Sequence, residues 1–326
     1  MNDTIRWGIV GPGIIANRFA NAIKHVAGAE VTAVASRSVQ RAREFADKHD
    51  ILNVFGSYEE MAHSSLVDAV YIATLHPFHK PCAELFLKAK KHVLCEKPIC
   101  VNAKEALDLA ECAKQNNIFL MEAMWTRFLP AIHEAVKVAR CGEIGEIRGV
   151  KADFCFYSTP SPTSRIYAPE LAGGALLDVG VYCLNFVAAF LGTDPEEITA
   201  ISNVQNGADY QTDVLLKYAS GAIASISSAV NLSKPVEGYV YGTKGYIRVP
   251  HFFGASEFFV HTNQEERHVQ KPSVGDGFEE QIEEACRCIR NGNIQSDVMP
   301  MTESIKIMEL MDAVRRQIQL VYPFET

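Results

Sequence analysis

The chain lacks a basic stripe, and this absence argues against a nucleic-acid partner. Its 326 residues carry 31 lysines and arginines against 39 aspartates and glutamates, a formal charge of −8. A domain that binds nucleic acid usually concentrates lysine and arginine on one face. The basic run Lys88, Lys90 and Lys91 ends a predicted helix, where lysines complement the negative end of the helix dipole.

The cysteines lack a pairing pattern, and the histidines lack a metal-binding pattern. Nine cysteines are scattered along the chain, and Cys286 and Cys288, the closest pair, have no second pair at zinc spacing. The histidines are dispersed, with His76 and His79 the nearest pair. We therefore expect reduced thiols, a cytoplasmic location and no metal centre.

Signals for export and for membranes are also missing. The N-terminus MNDTIRWGIVG has no basic segment followed by an apolar region and a cleavage site. We find no apolar run that approaches the ~20 residues a membrane span needs, and we expect no membrane partner.

Residues 5 to 122 alternate short apolar runs with amphipathic stretches. The predicted strands are Ile5–Val10, Val31–Ser36, Val67–Thr74, His92–Glu96 and Ile118–Glu122. The predicted helices are Ile14–Val26, Val39–Lys48, Tyr58–Ala62, Lys80–Lys90 and Ala103–Asn116. This alternation is typical of βαβ units around a parallel sheet. We predict an α/β fold that begins with a Rossmann-type dinucleotide-binding domain over residues 1–124.

The pattern changes after about residue 125. We expect a helix near Ala131–Arg140, a strand over Glu146–Tyr157, a polar loop over Ser158–Pro169 and an apolar helix from Gly173 to Phe190. Short turns joining strands between residues 198 and 270 favour antiparallel pairing. Two helices, near Phe278–Arg290 and Thr302–Gln319, close the chain. Residues 125–326 are therefore predicted to form an α+β domain with a large, mostly antiparallel sheet, which binds substrate and mediates oligomerisation.

A glycine-rich turn follows the first predicted strand. The sequence Gly11-Pro12-Gly13-Ile14-Ile15-Ala16 has the GxGxxA spacing of dinucleotide-binding turns. The first glycine permits a tight turn, the second admits a pyrophosphate, and Ala16 allows the helix to pack closely on the strand. The amide groups of Ile14 and Ile15, at the start of the helix, would then face the anion.

The end of the second predicted strand indicates the type of dinucleotide. An NAD site usually carries an aspartate or glutamate there, which binds the ribose 2′-hydroxyl. This chain has Ser36 and Arg37 instead, with Arg41 one helical turn further on. An arginine can form a charged, bidentate contact with a 2′-phosphate, so the sequence predicts NADP.

Two further segments carry candidate acid/base groups. Lys97 follows Glu96 at the carboxyl edge of a predicted parallel strand, where open sheets bind ligands. Partial burial near a cationic nicotinamide would lower the pKa of Lys97 and let it exchange a proton with a substrate hydroxyl. Asp178 and Tyr182 are four residues apart on a predicted apolar helix and share one face. Their spacing alone is compatible with two interpretations. In one, Asp178 complements the helix dipole and Tyr182 packs in the core. In the other, the two residues form a catalytic pair.

The motifs together identify a resemblance to a known family. The stretches GIVGPGIIA, AVASRS, KKHVLCEKPI, MEAMWTRFLP and GGALLDVGVYCLN lie between residues 8 and 185 in the family's order and spacing. The chain resembles the glucose–fructose oxidoreductase and inositol dehydrogenase family. Within this family it is most similar to the branch of dimeric dihydrodiol dehydrogenase and NADP-dependent sugar dehydrogenases.

The resemblance implies roles for individual residues. Lys97 matches the catalytic lysine of the family, and Asp178 and Tyr182 match its DxxxY motif, where many members carry DxxxH. Tyrosine favours the dihydrodiol and glucose–fructose branch and a phenol as the acid/base, assisted by Lys97. The resemblance places further residues near the cofactor, namely Thr74, Leu75, His76, His79, Glu96, Trp125 and Arg127. For Trp125, packing between domains is the alternative.

The expected function is reversible hydride transfer between NADP and a hydroxyl-bearing carbon of a sugar or cyclic trans-diol. One alternative is a glycosidase that uses tightly held NAD for transient oxidation, and another is an NADP-sensing protein without activity. Retention of Lys97, Asp178 and Tyr182 disfavours the sensing protein. Strands such as Ile223–Ser228 and Tyr239–Tyr241 carry apolar or small residues on both faces, which predicts a homodimer or homotetramer through the second sheet.

Overall fold

The computed structural model describes residues 4–161, 164–263 and 265–325. Residues 162 and 163, which belong to the loop predicted over Ser158–Pro169, lie outside the described residues. The chain divides into two units, each built from separate stretches of sequence. The first unit contains Met1–Cys100, Lys104–Trp125 and Val274–Ile305, and the second contains Val101–Ala103, Thr126–Ser273 and Lys306–Thr326.

Within the described residues, the first unit contains a six-stranded parallel sheet. Its strands are β1 Ile5–Val10, β2 Ala29–Ala35, β3 Asn53–Phe55, β4 Ala69–Ile72, β5 His92–Glu96 and β6 Leu120–Ala123, in the order β3-β2-β1-β4-β5-β6. The connecting helices are α1 Ile14–Ala22, α2 Val39–His49, α3 Tyr58–Ala62, α4 His79–Lys88 and α5 Ala103–Asn116. This order confirms the predicted Rossmann-type sheet and places its switch point, where such sheets bind ligands, between β1 and β4.

Aromatic packing fixes helix α1 on the first sheet. The ring of Phe19 stacks on Tyr71 of β4 with centroids 4.1 Å apart, and it meets Trp7 of β1 edge-on at 5.6 Å. All three side chains are fully buried. Burying a side chain of this size stabilises a fold by about 1.5–3 kcal/mol. Helix α1 is therefore anchored on β1 and β4 by the ring of Phe19.

The segment Val274–Ile305 belongs to the first unit, although the predicted boundary at residue 124 treated each domain as one continuous stretch. It contains helix α8, Glu279–Arg290. Arg290 donates a hydrogen bond of 2.7 Å to the carbonyl of Gly28, and the amide of Leu120 donates one of 3.0 Å to the carbonyl of Ile294. Such long-range contacts leave no periodicity in the sequence, which explains the difference.

The second unit is built on an eight-stranded sheet within the described residues. Its strands are β7 Ile147–Cys155, β8 Glu197–Gln205, β9 Ala208–Lys217, β10 Ile223–Ala229, β11 Glu237–Gly242, β12 Gly245–Pro250, β13 Glu257–Thr262 and β14 Glu266–Gln270. They lie in the order β14-β13-β12-β11-β7-β10-β9-β8, and apart from the parallel pair β7 and β10 the described neighbours are antiparallel. With helices α6 Pro130–Arg140 and α7 Val181–Leu191, this confirms the predicted α+β architecture. Helix α9, Met301–Gln317, begins in the first unit and ends in the second.

One apolar helical segment corrects the expectation that no run reaches membrane length. Pro169–Leu191 has 23 residues and a mean hydropathy of 1.8, enough by length and composition to cross a membrane. Of its most apolar stretch, 89% is buried inside the protein. Helix α7 supplies much of this burial, because every residue from Val181 to Ala189 is buried. This segment therefore has the length and hydropathy of a membrane span together with the burial of a core helix.

Candidate active site

The glycine turn leaves an open cradle at the start of α1. Gly11 has a φ of +86°, and a Cβ atom there would lie 3.1 Å from Thr74 Cγ2 and 3.2 Å from the carbonyl oxygen of Ala73. A Cβ atom on Gly13 would meet nothing within 4 Å. No side chain caps α1 at Gly13, so no side-chain acceptor at this position occupies the first amide groups of the helix. The turn therefore requires glycine at position 11 and presents N–H groups to an anion.

A cavity of about 930 Å³ lies against this turn, entirely within the first unit. Seven residues predicted to bind cofactor line it, namely Gly11, Gly13, Ser36, Arg37, Arg41, Thr74 and Leu75. Other lining residues, which the sequence did not single out, include Tyr58, Glu59, Phe78, Pro81, Cys82 and Leu85. They belong to α3, α4 and the turn before α4, so only the tertiary packing of these elements brings them to the cavity.

The end of β2 places cations at the cavity. Ser36 is buried, and its hydroxyl accepts a hydrogen bond of 3.2 Å from the amide of Ser38. Ser38 in turn caps α2 by accepting from the amide of Arg41 at 3.4 Å. Arg37 is exposed, and its guanidinium carbon lies 5.2 Å from the centroid of the Phe78 ring.

These residues fit a dinucleotide. The cradle at Gly11 and Gly13 has room for a pyrophosphate against the helix N-terminus. The cavity provides Arg37 and Arg41 where β2 ends, and no acidic residue directly follows that strand. The cavity wall also contains Glu59, which is exposed to solvent, and Glu84, which forms an ion pair of 3.0 Å with Lys88. The wall can therefore bind an additional anionic group beside the ribose.

His79 is buried between the turns after β4 and β5, and its predicted contact with the cofactor stays a prediction. Its side chain has no exposed surface. Nδ1 lies 2.8 Å from the carbonyl oxygen of Pro98, and Nε2 lies 3.1 Å from that of Thr74. Burial lowers the pKa of His79 to about 4, so the ring is neutral near pH 7 and donates to one carbonyl at a time. His79 therefore links the turns after β4 and β5. His76 is also largely buried, with its ring 5.8 Å from that of His79.

Lys97 is held by a buried carboxylate next to it in sequence. Glu96 is 6% exposed and accepts hydrogen bonds from the Tyr71 hydroxyl and, at 3.2 Å, from the backbone amide of Lys97. Burial raises the pKa of Glu96, while the charge of Lys97 and these donors oppose the increase. Lys97 itself is half-buried. The lowered pKa expected for its ammonium group stays a prediction.

A second buried carboxylate, which the sequence analysis missed, supports the same turn. Glu122 at the end of β6 accepts hydrogen bonds from the amide of Ile99 at 3.0 Å and the hydroxyl of Ser304 at 2.6 Å. Burial raises the pKa of Glu122 to about 7. Together with Glu96 and His79, it pins each residue from Lys97 to Ile99 by one backbone group. An acidic residue at the end of an otherwise apolar strand was the available signal.

Trp125 and Arg127 lie in one short helical turn but in different units. Trp125 is 3% exposed and packs within the first unit, where the guanidinium of Arg18 lies 4.1 Å from its ring and the Phe278 ring lies 5.4 Å away. Arg18 also forms an ion pair of 2.5 Å with Asp276. In the second unit, the carbonyl of Arg127 accepts a hydrogen bond of 2.6 Å from His133. A cofactor contact of either residue stays a prediction.

In the second unit, Asp178 and Tyr182 lie on consecutive helical segments, the first a wide π-helical turn and the second a regular α-helix. Asp178 lies in a π-helical turn, Leu176–Gly180, and Tyr182 follows in α7. Asp178 is 6% exposed, with one carboxylate oxygen 3.3 Å from a guanidinium nitrogen of Arg165. The ring of Tyr182 lies 5.6 Å from that of Phe154. Wide turns of this kind recur at functional sites.

Asp209 of β9 holds the start of the π-helical turn. Its carboxylate accepts hydrogen bonds from the amide of Leu176 at 2.8 Å and the hydroxyl of Thr212 at 2.7 Å. A Cβ atom on Gly174 would lie 2.1 Å from Asp209 Oδ1, so the carboxylate reaches this backbone because residue 174 is glycine. Burial raises the pKa of Asp209 to about 6. Nothing in the sequence pattern singled it out.

The described residues contain no group of three or more histidine, cysteine, aspartate or glutamate side chains placed to hold a metal ion. All nine cysteines are unpaired. The acid/base roles of Lys97, Asp178 and Tyr182 stay predictions.

Comparison with known proteins agrees with this architecture. The model of an oxidoreductase family with an NAD-binding Rossmann fold matches residues 5–124, and that of the GFO/IDH/MocA C-terminal domain matches residues 132–248. Trans-1,2-dihydrobenzene-1,2-diol dehydrogenase of Mus musculus is 37% identical over 332 residues, and that of Danio rerio is 36% identical over 329 residues, each alignment covering 98% of both chains.

A solved structure has the same fold over nearly the whole chain. It is a 3-ketoreductase from Actinomadura kijaniata in complex with NADP and TDP-benzene, 27% identical, with a TM-score of 0.87 over 96% of this chain and 98% of that one. The two matched domains, the relatives and this fold agree with the resemblance found in the sequence. The chain therefore belongs to the GFO/IDH/MocA family of oxidoreductases, with an NAD-binding Rossmann fold.

Proposed function

We propose that the protein is an NADP-dependent oxidoreductase that acts on a hydroxyl-bearing carbon of a sugar or cyclic trans-diol. The observation that carries the proposal is the cavity at the glycine turn, where Arg37 and Arg41 replace the carboxylate typical of an NAD site. The names of the relatives support the substrate class, because they are dehydrogenases of a trans-diol. The 3-ketoreductase bound to NADP supports the cofactor.

The residues of the first unit bind and orient in this mechanism. Amide groups at the start of α1 bind the pyrophosphate, and Arg37 and Arg41 bind the 2′-phosphate. A nicotinamide dinucleotide held by these residues would supply or accept the hydride. Because Glu96, His79 and Glu122 fix the backbone from Lys97 to Ile99, the ammonium group of Lys97 starts from a defined position. There it donates a hydrogen bond to the oxygen of the reacting carbon.

Proton transfer is assigned to Tyr182. Oxidation of an alcohol needs a base that takes the hydroxyl proton, and reduction needs an acid that returns it. The phenol oxygen of Tyr182 takes this role. Asp178, one turn earlier in the chain, binds a substrate hydroxyl or orients the phenol.

The cofactor assignment is tested by comparing kcat/KM for NADP and NAD. One charge-assisted hydrogen bond contributes about 1.5–3 kcal/mol. At about 1.4 kcal/mol per tenfold, this predicts a preference for NADP of roughly 10- to 150-fold. Arg37→Ala should remove most of the preference by weakening NADP, and Ser36→Asp should reverse it by repelling the phosphate and binding the 2′-hydroxyl.

Arg43→Ala is the matched control, because Arg43 is an exposed arginine of α2, the helix that carries Arg41, but does not line the cavity. It should leave both values unchanged. A wild-type protein that prefers NAD, or an Arg37→Ala variant with intact preference, would contradict the assignment. Aldoses, cyclitols and trans-dihydrodiols are then screened with NADP, with NADPH absorbance as the readout. A cofactor retained through many turnovers would instead favour the glycosidase alternative.

We also propose that the protein forms a homodimer or homotetramer through the second sheet. Large apolar side chains lie exposed on its strands, namely Ile201, Leu215, Ile223 and Tyr241, at 40–75%. Ile223 of β10 and Tyr241 of β11 both pair with Gly149 of β7, so they flank a position without a side chain on the same face. A self-complementary patch of this kind suits a two-fold interface.

A further inference from the structure

Phe78 lies in the wall of the cavity as an exposed aromatic residue. It directly precedes α4, and 37% of its surface is exposed. The guanidinium carbon of Arg37 lies 5.2 Å from the centroid of its ring, within the range of a cation–π interaction. Both residues line the same cavity, beside the turn that carries Gly11 and Gly13. The ring therefore contacts the group that distinguishes an NADP site from an NAD site.

Arg37 has few other constraints in the part of the chain that the structure describes. No described carboxylate forms an ion pair with it, and its side chain is exposed. An exposed arginine samples many rotamers, and ordering them opposes binding of a phosphate. Contact with the aromatic ring of Phe78 narrows the rotamers of Arg37 before the ligand arrives, which increases affinity.

We propose that Phe78 is a positioning residue that sets cofactor specificity by holding the Arg37 guanidinium ready for the 2′-phosphate. This inference rests on the proposed NADP dependence. The ring acts through Arg37, so it affects the ligand with a 2′-phosphate and leaves the one without it unchanged. A ring that instead served as a platform for adenine would affect both dinucleotides equally, because both contain adenine.

The test measures dissociation constants of NADP and NAD by calorimetry, without substrate, for wild type and variants. Phe78→Leu keeps an apolar wall but removes the ring. A cation–π contact at an exposed site corresponds to about a 2- to 5-fold change in affinity, so NADP should weaken by about that factor while NAD is unchanged. Phe78→Trp, which keeps an aromatic face, should retain wild-type affinity for NADP.

Two further variants make the test specific. In an Arg37→Ala background, Phe78→Leu should have no additional effect on NADP, because the group that the ring positions is gone. Phe324→Leu, the same substitution at a residue of the second unit that is 41% exposed, should change neither affinity.

Equal weakening of NADP and NAD by Phe78→Leu would overturn the inference and indicate an adenine platform. The inference would also be overturned if Phe78→Leu weakened NADP binding in the Arg37→Ala background as much as it does in the wild type. If the wild type binds NADP more tightly and Phe78→Leu preserves that ratio, the inference fails while the proposed cofactor stands. A wild type that binds NAD more tightly overturns both.

Discussion

At the residue scale, the segment that begins with Lys97 is bound by several buried side chains. Three consecutive residues, Lys97 to Ile99, each have one backbone group bound by a buried side chain, respectively Glu96, His79 and Glu122. The backbone at Lys97 is thus restrained by three buried side chains. Such support is what a catalytic residue needs to keep its geometry.

Replacing Lys97 by Met should reduce kcat by about 10²- to 10⁴-fold, because the group that binds and polarises the reacting oxygen is lost. NADP affinity should stay within about tenfold, since the cradle at Gly11 and Gly13 is untouched. Steady-state kinetics and calorimetry measure the two effects. Lys114→Met, at an exposed lysine of α5, serves as the control and should match wild type. A Lys97→Met enzyme with near wild-type kcat would remove Lys97 from the mechanism.

Tyr182→Phe removes only the hydroxyl and preserves the ring contact with Phe154. If the phenol transfers the proton, kcat should fall sharply, by about 10²-fold or more, with little change in melting temperature. The comparison of kcat with thermal unfolding separates chemistry from packing. A lower melting temperature with unchanged kcat would make Tyr182 a core residue and leave Lys97 as the acid/base.

The buried carboxyl of Glu122 predicts a pH dependence of stability. Its pKa is raised to about 7 from 4.5, so the folded protein binds this proton more tightly than the unfolded chain does. The resulting stability is complete below about pH 4.5 and is lost as the pH rises through 7. Glu122→Gln should therefore increase the free energy of unfolding at pH 8, by on the order of 3 kcal/mol at most.

The measurement is chemical denaturation of wild type and Glu122→Gln between pH 5 and 8. The amide can still accept from Ile99 and donate to Ser304, so the hydrogen bonds are kept. The difference in stability should shrink as the pH falls toward 5. If the difference in unfolding free energy between the two proteins stayed constant from pH 5 to 8, the raised pKa assigned to Glu122 would be contradicted.

At the element scale, the π-helical turn Leu176–Gly180 depends on a strand that lies far from it in sequence. The sequence predicted one apolar helix from residue 173, because a periodicity of 3.6 cannot distinguish a wide turn from a regular one. Asp209 of β9 binds the amide of Leu176 at the start of this turn, and no local pattern in the sequence indicates that contact. The three-residue strand Asn53–Phe55 was missed for a related reason, since it is defined by pairing with β2 rather than by its own pattern.

Asp209→Ala should destabilise the protein by about 1–3 kcal/mol, because the amide of Leu176 loses its buried acceptor. The turn that carries Asp178 should then loosen, so kcat should fall with little change in NADP affinity. Asp209→Asn keeps an acceptor oxygen and should restore both stability and kcat in large part. Thermal unfolding, kcat and NADP binding are measured together. Equal loss of kcat in both variants would show that the charge, rather than the hydrogen bond, is required.

The candidate site was only partly predictable from the sequence. Motif positions such as Gly11, Ser36 and Arg37 follow strands directly, so local order places them at one sheet edge. The roles of Phe78 and Glu122 depend on how their elements pack against others. No local sequence pattern indicates that packing. His79 was assigned to the cofactor by resemblance, and its burial against the carbonyls of Pro98 and Thr74 could not be read from the sequence.

At the scale of the whole molecule, the exposed apolar residues of the second sheet predict self-association. Light scattering at micromolar concentration should give the mass of a dimer or tetramer. Leu215→Arg places a charge among these residues and should shift the protein toward monomer. Leu52→Arg, at a residue of the first unit that is 92% exposed, should leave the mass unchanged. A monomeric wild type would count against the proposed interface.

The discontinuous first unit has a consequence for synthesis on the ribosome. All six strands of its sheet have been made once Ala123 emerges, but Phe278 beside Trp125 and Arg290 at the carbonyl of Gly28 arrive much later. Residues 126–273, which belong to the second unit, are translated in between. The nascent Rossmann sheet must therefore persist with Trp125 uncovered until Val274–Ile305 leaves the exit tunnel. This interval is the period in which chaperone binding or aggregation would act on the chain.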